Sequence, residues 1–215
     1  MVSTATSNEA SPGPSGFEVT PGDHICAFYP TQADRDEILE PYLREGLSRG
    51  DKCFCVVDST DPEALMTGLG RDAELAPILA ARHLDVLESK DAYLRGGEFS
   101  TDRVMDFWEQ NVTQALSDEF SFVRAVGEMT WAQKALSNMV ELAVYESRLN
   151  DYVRRYPQVI LCMYELGRFD GDTLVDILKV HPKVLIAGML IDNPYYIAPE
   201  EFLADRASRV ENKGT

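Results

Sequence analysis

Apolar positions in this chain follow two alternating patterns: short unbroken runs, and longer stretches where they recur every third or fourth residue. The first run, His24-Ile-Cys-Ala-Phe-Tyr29, ends at Pro30 and reads as a buried strand. From Asp34 to about Arg49, Ile38, Leu39, Tyr42, Leu43 and Leu47 keep helical spacing, with acidic residues at the start and Gly50 as the stop. Lys52-Cys-Phe-Cys-Val-Val57 is a second strand. Asp61 caps a short helix that Pro62 opens, and a second short helix over 73–81 leads to a third strand at 84–87.

The alternation continues through the rest of the chain. Ser100 or Thr101 starts a helix to about Leu116, 120–126 is the fourth strand, and 137–155 is a strongly periodic helix. Val159-Ile-Leu-Cys-Met-Tyr164 is the fifth strand, 172–180 a helix, and Lys183 to Ile191 a single sixth strand. Near-continuous apolar strands separated by helices imply one α/β domain, a mostly parallel central sheet with helices on both faces. The expected domain covers 19–200. Residues 1–18 lack apolar anchors and are expected to be a disordered tail, while 201–215 read as a short helix or a tail.

Charge and cysteine usage narrow the function. Against 36 Asp+Glu stand 20 Lys+Arg, a formal charge of −16, which argues against binding nucleic acid or an anionic membrane surface. No apolar stretch approaches the ~20 residues of a spanning helix, and no secretion signal opens the chain, so a cytoplasmic protein is expected. Cys26, Cys53, Cys55 and Cys162 sit inside apolar runs as reduced thiols, and no CxxC pair signals a zinc ribbon or a thioredoxin-type site.

In an open parallel sheet, ligands bind outside the carboxyl ends of the strands. Those ends carry Phe28, Tyr29, Asp58, Ser59, Glu88, Glu128, Trp131, Tyr164, Glu165, Asn193 and Tyr195. A rim so rich in aromatics and carboxylates suits a small neutral or cationic ligand. The loop Tyr29–Arg35 has neither the glycines nor the Lys-Ser/Thr of a phosphate-binding loop, so nucleotide hydrolysis is not expected. Glu128 can accept from a ligand hydroxyl or amine, or act as a general base; its plainer role is to close the strand. Trp131 would add a flat apolar wall.

His24 and His181 lie at the amino ends of strands, where the plainer role is a hydrogen bond that fixes a loop. Side chains alternate, so His24 and Cys26 share one face of their strand, and Cys53 and Cys55 one face of theirs. A His/Cys metal cluster would need those faces to meet, and a one-residue spacing is not a usual zinc pattern. No metal site and no cofactor are assigned. On the helix over 137–155, Tyr145 reads as core, while Glu141, Glu146 and Asp151 read as a solvated face.

Taken in order, Gly22-Asp-His-Ile-Cys-Ala-Phe-Tyr29, Gly46-Leu-Ser-Arg-Gly-Asp-Lys-Cys53, Gly127-Glu-Met-Thr-Trp131, Tyr145-Glu146, Leu161-Cys-Met-Tyr164 and His181-Pro182 resemble the MEDS family, a sensory domain of methanogen and methylotroph regulators. The resemblance implies a degenerate RecA/KaiC-like domain without a functional phosphate loop. It also implies a non-enzymatic prokaryotic input module for a small organic molecule, a hydrocarbon derivative or an aromatic cofactor. Output is then expected through a signalling protein such as a histidine kinase or an anti-sigma factor, or through a homodimer. The alternatives are an acidic interaction module without a small ligand and, last, a residual ATPase or hydrolase using Glu128. Matched positions give His24, Glu128, Trp131, Cys162 and His181 as candidate ligand contacts, and the rim adds Phe28, Tyr29, Tyr164, Asn193 and Tyr195.

Overall fold

The computed structural model describes residues 18–205; the expected amino-terminal tail and residues 206–215 lie outside that range. The elements run β1 (His24–Tyr29), α1 (Gln32–Arg49), β2 (Lys52–Val57), α2 (Pro62–Gly70), α3 (Ala76–Ala80), β3 (Leu84–Glu88), α4 (Ser89–Ala92), α5 (Thr101–Ser117), β4 (Val123–Glu128), α6 (Trp131–Ala135), α7 (Val140–Val153), β5 (Gln158–Glu165), α8 (Gly171–Val180), β6 (Lys183–Ile186) and β7 (Met189–Asp192). The sheet order is β3-β2-β4-β5-β1-β6-β7. Every pairing is parallel except β6 with β7. Residues 199–205 are helical, and Phe202 packs on Ala143 and Val180.

Alternation along the strands sorts the core into two layers. Ile25, Ala27, Tyr29, Cys53, Cys55, Leu161 and Met163 face α1 and α2, meeting Leu39, Tyr42, Leu43 and Leu47. Cys26, Phe54, Val56, Ile160, Cys162 and Tyr164 face α5, α7 and α8, meeting Trp108, Leu142, Tyr145, Leu149 and Ile177. The two faces imagined for a His/Cys cluster therefore do not coincide. Cys53 and Cys55 lie on the opposite side of the sheet from Cys26, and β4 and β5 separate the two strands.

Local chemistry sets the ends of the elements. Asp61 and Ser100 cap α2 and α5 as expected. Thr31 and Asp34 form a capping box at the start of α1, and Gly50, in the left-handed region at φ 83°, ends it. Asp34 thus puts a carboxylate at the start of α1, bonded to the Thr31 backbone N–H.

Two expectations change. The single strand from Lys183 to Ile191 is a hairpin: Ala187 and Gly188 have φ of 49° and 75°, the paired positive values of a two-residue turn that matches strand twist. The fourth strand starts later, at Val123, because Glu119 turns the chain at φ 68°, and it runs to Glu128 in register with Met163. Among the described residues, no helix is long and apolar enough to cross a membrane.

Two glycines test the packing with opposite signs. A Cβ on Gly46 would lie 2.5 Å from Arg124 Cδ and 2.9 Å from Cys53 Sγ, whereas one on Gly68 would meet nothing within 4 Å. Arg124 cannot swing away, since its Nε donates to Asp51 Oδ2 at 2.6 Å. Gly46→Ala is expected to destabilise by about 1–3 kcal/mol. Gly68→Ala, inside α2, is expected to be neutral or to stabilise by up to about 1 kcal/mol. Urea midpoints of the two variants check both signs.

Candidate functional site

At the carboxyl ends of the strands the protein has satisfied its own polar groups. Glu128 Oε2 accepts from the backbone N–H of Asp58 and of Ser59, each at 2.8 Å, and from the Ser59 hydroxyl at 3.0 Å. Oε1 accepts from the Thr60 hydroxyl at 2.6 Å and Arg35 Nη1 at 2.9 Å. Asp58 in turn accepts from Ser89 Oγ at 2.7 Å, Thr130 Oγ1 at 2.8 Å and Lys134 Nζ at 2.9 Å. Burial opposes ionisation of Asp58, yet hydrogen bonds from Lys134, Ser89 and Thr130 outweigh it and hold the carboxyl below its ordinary range. Trp131 is in the core, stacked on Tyr93 with ring centroids 4.6 Å apart. Tyr29 is fully buried on the α1 side, away from Phe28 and Tyr164.

Glu128 and Trp131 are buried, and three surface depressions of about 510, 520 and 220 Å³ are lined by none of the ten candidate residues. Tyr195 is exposed on the surface beyond β7, and Phe28 is half-buried with its ring 5.9 Å from that of Tyr164.

The other expected residues do come together, at a place the rim argument did not indicate. His24 at the start of β1, Cys162 on β5 and His181 just after α8 meet Glu146 of α7 inside the apolar α7–α8 layer. One ligand atom from each lies within 4.8 Å of the others, and all four residues are buried. Glu146 Oε2 is the hub: His24 Nε2 is 3.1 Å away, Cys162 Sγ 3.4 Å and His181 Nε2 3.4 Å. Cys162 Sγ and His24 Nε2 are 3.5 Å apart, and the two imidazole centroids 4.1 Å.

The outward nitrogens of both imidazoles are already committed. Asn150, one turn after Glu146, donates its amide to the carbonyls of Val180 at 2.8 Å, Ser147 at 3.2 Å and Glu146 at 3.3 Å. That fixes its Oδ1 as the acceptor for His24 Nδ1, at 3.2 Å. His181 Nδ1 donates to the Ile177 carbonyl at 2.7 Å. Asn193 bonds the carbonyls of Leu178 and His181 and pins the segment that carries this ring. In neutral rings both Nε2 lone pairs then point at the carboxylate, a meeting that needs positive charge at its centre, either a proton or a cation. Glu146 Oε1 and His181 Nε2 are buried without a hydrogen bond of acceptable geometry.

Titration follows from this packing. Burial pushes the Glu146 carboxyl up, but the contacts with His181 and His24 outweigh it and bring it down to about 2. Burial and the neighbouring His181 lower His24. Burial and the Glu146 charge raise the Cys162 thiol well above its ordinary range, and the same two causes raise Tyr164, whose ring is 5.8 Å from that of His181.

Glu146 and Asn150 escaped the sequence reading, which put Glu146 on a solvated face; it is fully buried. The available signal was on α7 itself, where Ala143, Ser147, Asn150 and Val153 share a helical stripe with Glu146, apolar at both ends and polar in the middle.

Sheet order and crossover helices define a RecA-like α/β domain whose strand-end carboxylates are paired within the protein and which carries a buried polar centre. The fold is similar to that of the KaiC-like protein PH0186 from Pyrococcus horikoshii OT3, with a TM-score of 0.54 and 13% identity over 76% of this chain and 70% of that one. The MEDS family, described as the methanogen/methylotroph, DcmR sensory domain, matches residues 23–182, and the chain belongs to it. All four residues of the buried centre fall within the match. The transcriptional repressor DcmR of Methylorubrum extorquens (strain DSM 6343 / CIP 106787 / DM4) is 30% identical over 178 residues, 81% of this chain. The chain spans 63% of that relative's length.

Because Glu128 neutralises the buried Arg35 and ties down Asp58, Ser59 and Thr60, its removal should unfold rather than merely weaken binding. Glu128→Ala is expected to cost about 3–5 kcal/mol, the range for breaking one side of a buried pair, read as a fall in the urea midpoint. A loss under about 1 kcal/mol would return Glu128 to the list of ligand contacts.

Proposed function

We propose that this chain is a non-enzymatic signal-input module that takes up a small ligand at the His24–Glu146–Cys162–His181 centre and passes its state to a partner regulator, such as a histidine kinase or an anti-sigma factor. The observation that carries this reading is the convergence of four donor side chains from β1, α7, β5 and the end of α8 in a largely apolar layer. Burying such groups costs stability that an apolar cluster of the same volume would not, so stability alone gives no reason for them. Membership of a sensory family supplies that reason.

The centre is wired to an open edge of the sheet. His181 precedes Pro182 and β6, and Asn193, just after β7, bonds back to the His181 carbonyl. The β6–β7 hairpin ends the sheet and exposes Ile186, Met189 and Ile191. A shift at His181 therefore reaches an unpaired strand edge directly, and sheet edges with apolar side chains are natural sites of chain pairing. The acidic interaction reading without a ligand differs in one respect: it needs no change in this hairpin when the centre is filled.

Two features support a non-enzymatic role. A nucleophilic cysteine needs a lowered pKa, and Cys162 is moved the other way. Glu128, the candidate general base, has both oxygens occupied by protein donors. A plain hydrocarbon offers nothing for two imidazoles, a thiol and a carboxylate to hold, so the donors favour a polar or cationic ligand.

Native and denaturing mass spectra of the full chain, purified without added chelator, test the reading. The wild type is expected to carry an excess mass that denaturation removes. His181→Ala should lose it, and Tyr195→Ala, altered on the exposed surface, should keep it. A wild-type native mass equal to that of the polypeptide overturns the proposal.

A further inference from the structure

We propose that the ligand of the buried centre is a divalent transition-metal ion of zinc's class, held by Nε2 of His24 and of His181, Sγ of Cys162 and Oε2 of Glu146. The inference deepens the reading above and rests on it for its biological meaning, while its geometry stands alone.

Tetrahedral zinc has bonds of about 2.0–2.1 Å to N and O and about 2.3 Å to S, so neighbouring ligand atoms sit roughly 3.3–3.6 Å apart. Four of the six separations in this cluster are 3.1, 3.4, 3.4 and 3.5 Å. Three of them match the edges of such a tetrahedron, the fourth is slightly short, and the remaining two are no longer than 4.8 Å, with side chains from four separate segments supplying the corners. Direct hydrogen bonding does not account for all of these separations, because His181 Nε2, 3.4 Å from Glu146 Oε2, is buried without one.

The surrounding bonds have the form that metal ligands require. A ligating histidine presents one nitrogen to the metal and donates the other N–H to a carbonyl or similar acceptor, which sets tautomer and ring angle. His24 does this through Asn150 Oδ1 and His181 through the Ile177 carbonyl. Charge also balances. Two neutral imidazoles, a thiolate and a carboxylate carry two negative charges, which a dication cancels in a buried site. Binding forms a metal–sulfur bond and releases the Cys162 thiol proton to solvent. Mixed nitrogen, sulfur and oxygen donors, four in number, fit zinc, cobalt or ferrous iron; calcium and magnesium take six or more oxygens. With all four positions filled by protein, the site is closed, as in metal centres that hold structure rather than open a coordination position to substrate.

Cobalt(II) is the probe. The full chain, stripped with chelator and dialysed, is titrated with cobalt(II), and metal content is measured after zinc(II) loading. One ion per chain is expected, with visible bands of tetrahedral cobalt and a near-ultraviolet thiolate-to-cobalt transition that zinc abolishes by displacement. Cys162→Ser should lose the thiolate transition. Asn150→Ala, which touches no metal, should weaken zinc about 10–100-fold, and Cys55→Ala, on the opposite face of the sheet, should change neither. Folded wild type that takes up no cobalt, or shows no thiolate transition, overturns the metal; that result needs no variant. If such protein still carries another bound mass, the sensing reading survives. One ion per chain with unaltered hydrogen exchange in β6–β7 supports the metal and overturns the sensing reading.

Discussion

A carboxylate buried from solvent has to be met by hydrogen-bond donors or by a cation, and Glu146 governs this molecule because it is met from three segments at once. His24 fixes it to the start of β1, Cys162 to the middle of β5 and His181 to the junction of α8 and β6. Asn150 closes the arrangement by tying α7 to the Val180 carbonyl and orienting the His24 ring. The position of α7 and α8 on the sheet thus depends on a polar contact, inside a layer that dispersion and apolar burial would hold less specifically.

At the opposite end of the sheet the carboxylates are paired within the protein. Asp34 occupies the start of α1, and Glu128 and Asp58 spend their oxygens on Arg35, Lys134 and neighbouring hydroxyls and amides. A rim that is internally satisfied has little to offer a ligand, since displacing its bonds would leave buried charges unpaired. The buried cluster of His24, Glu146, Cys162 and His181 lies instead toward the amino ends of β1 and β6, next to the antiparallel β6–β7 hairpin.

Much of the candidate site was legible. His24, Cys162, Tyr164 and His181 were all named from the sequence, and the structure gathers them. For the aromatic and acidic rim, a list of strand ends does not say which side chains are already paired; Glu128 and Trp131 stand at a strand end in the sequence and are buried in the fold. Glu146 was assigned to the wrong side because a charged residue on a helix is ordinarily solvated. Only the presence of β1 and α8 over that turn of α7 makes its burial tolerable.

Element identity and order came from the sequence by itself, because apolar periodicity is a local property: runs for strands buried on both faces, a spacing of three to four for helices. It marked the strand at His24–Tyr29 and the helix caps at Asp61 and Ser100 nearly to the residue. The tertiary structure decided what periodicity does not encode. It placed β1 between β5 and β6, turned the last apolar run back on itself at Ala187 and Gly188, and put Cys53 and Cys55 across the sheet from Cys26. Alternation tells which side of its own strand a residue takes, but the neighbour on that side is chosen by packing of the whole chain. The four donors sit at positions 24, 146, 162 and 181, and only the closed fold brings them within 4.8 Å.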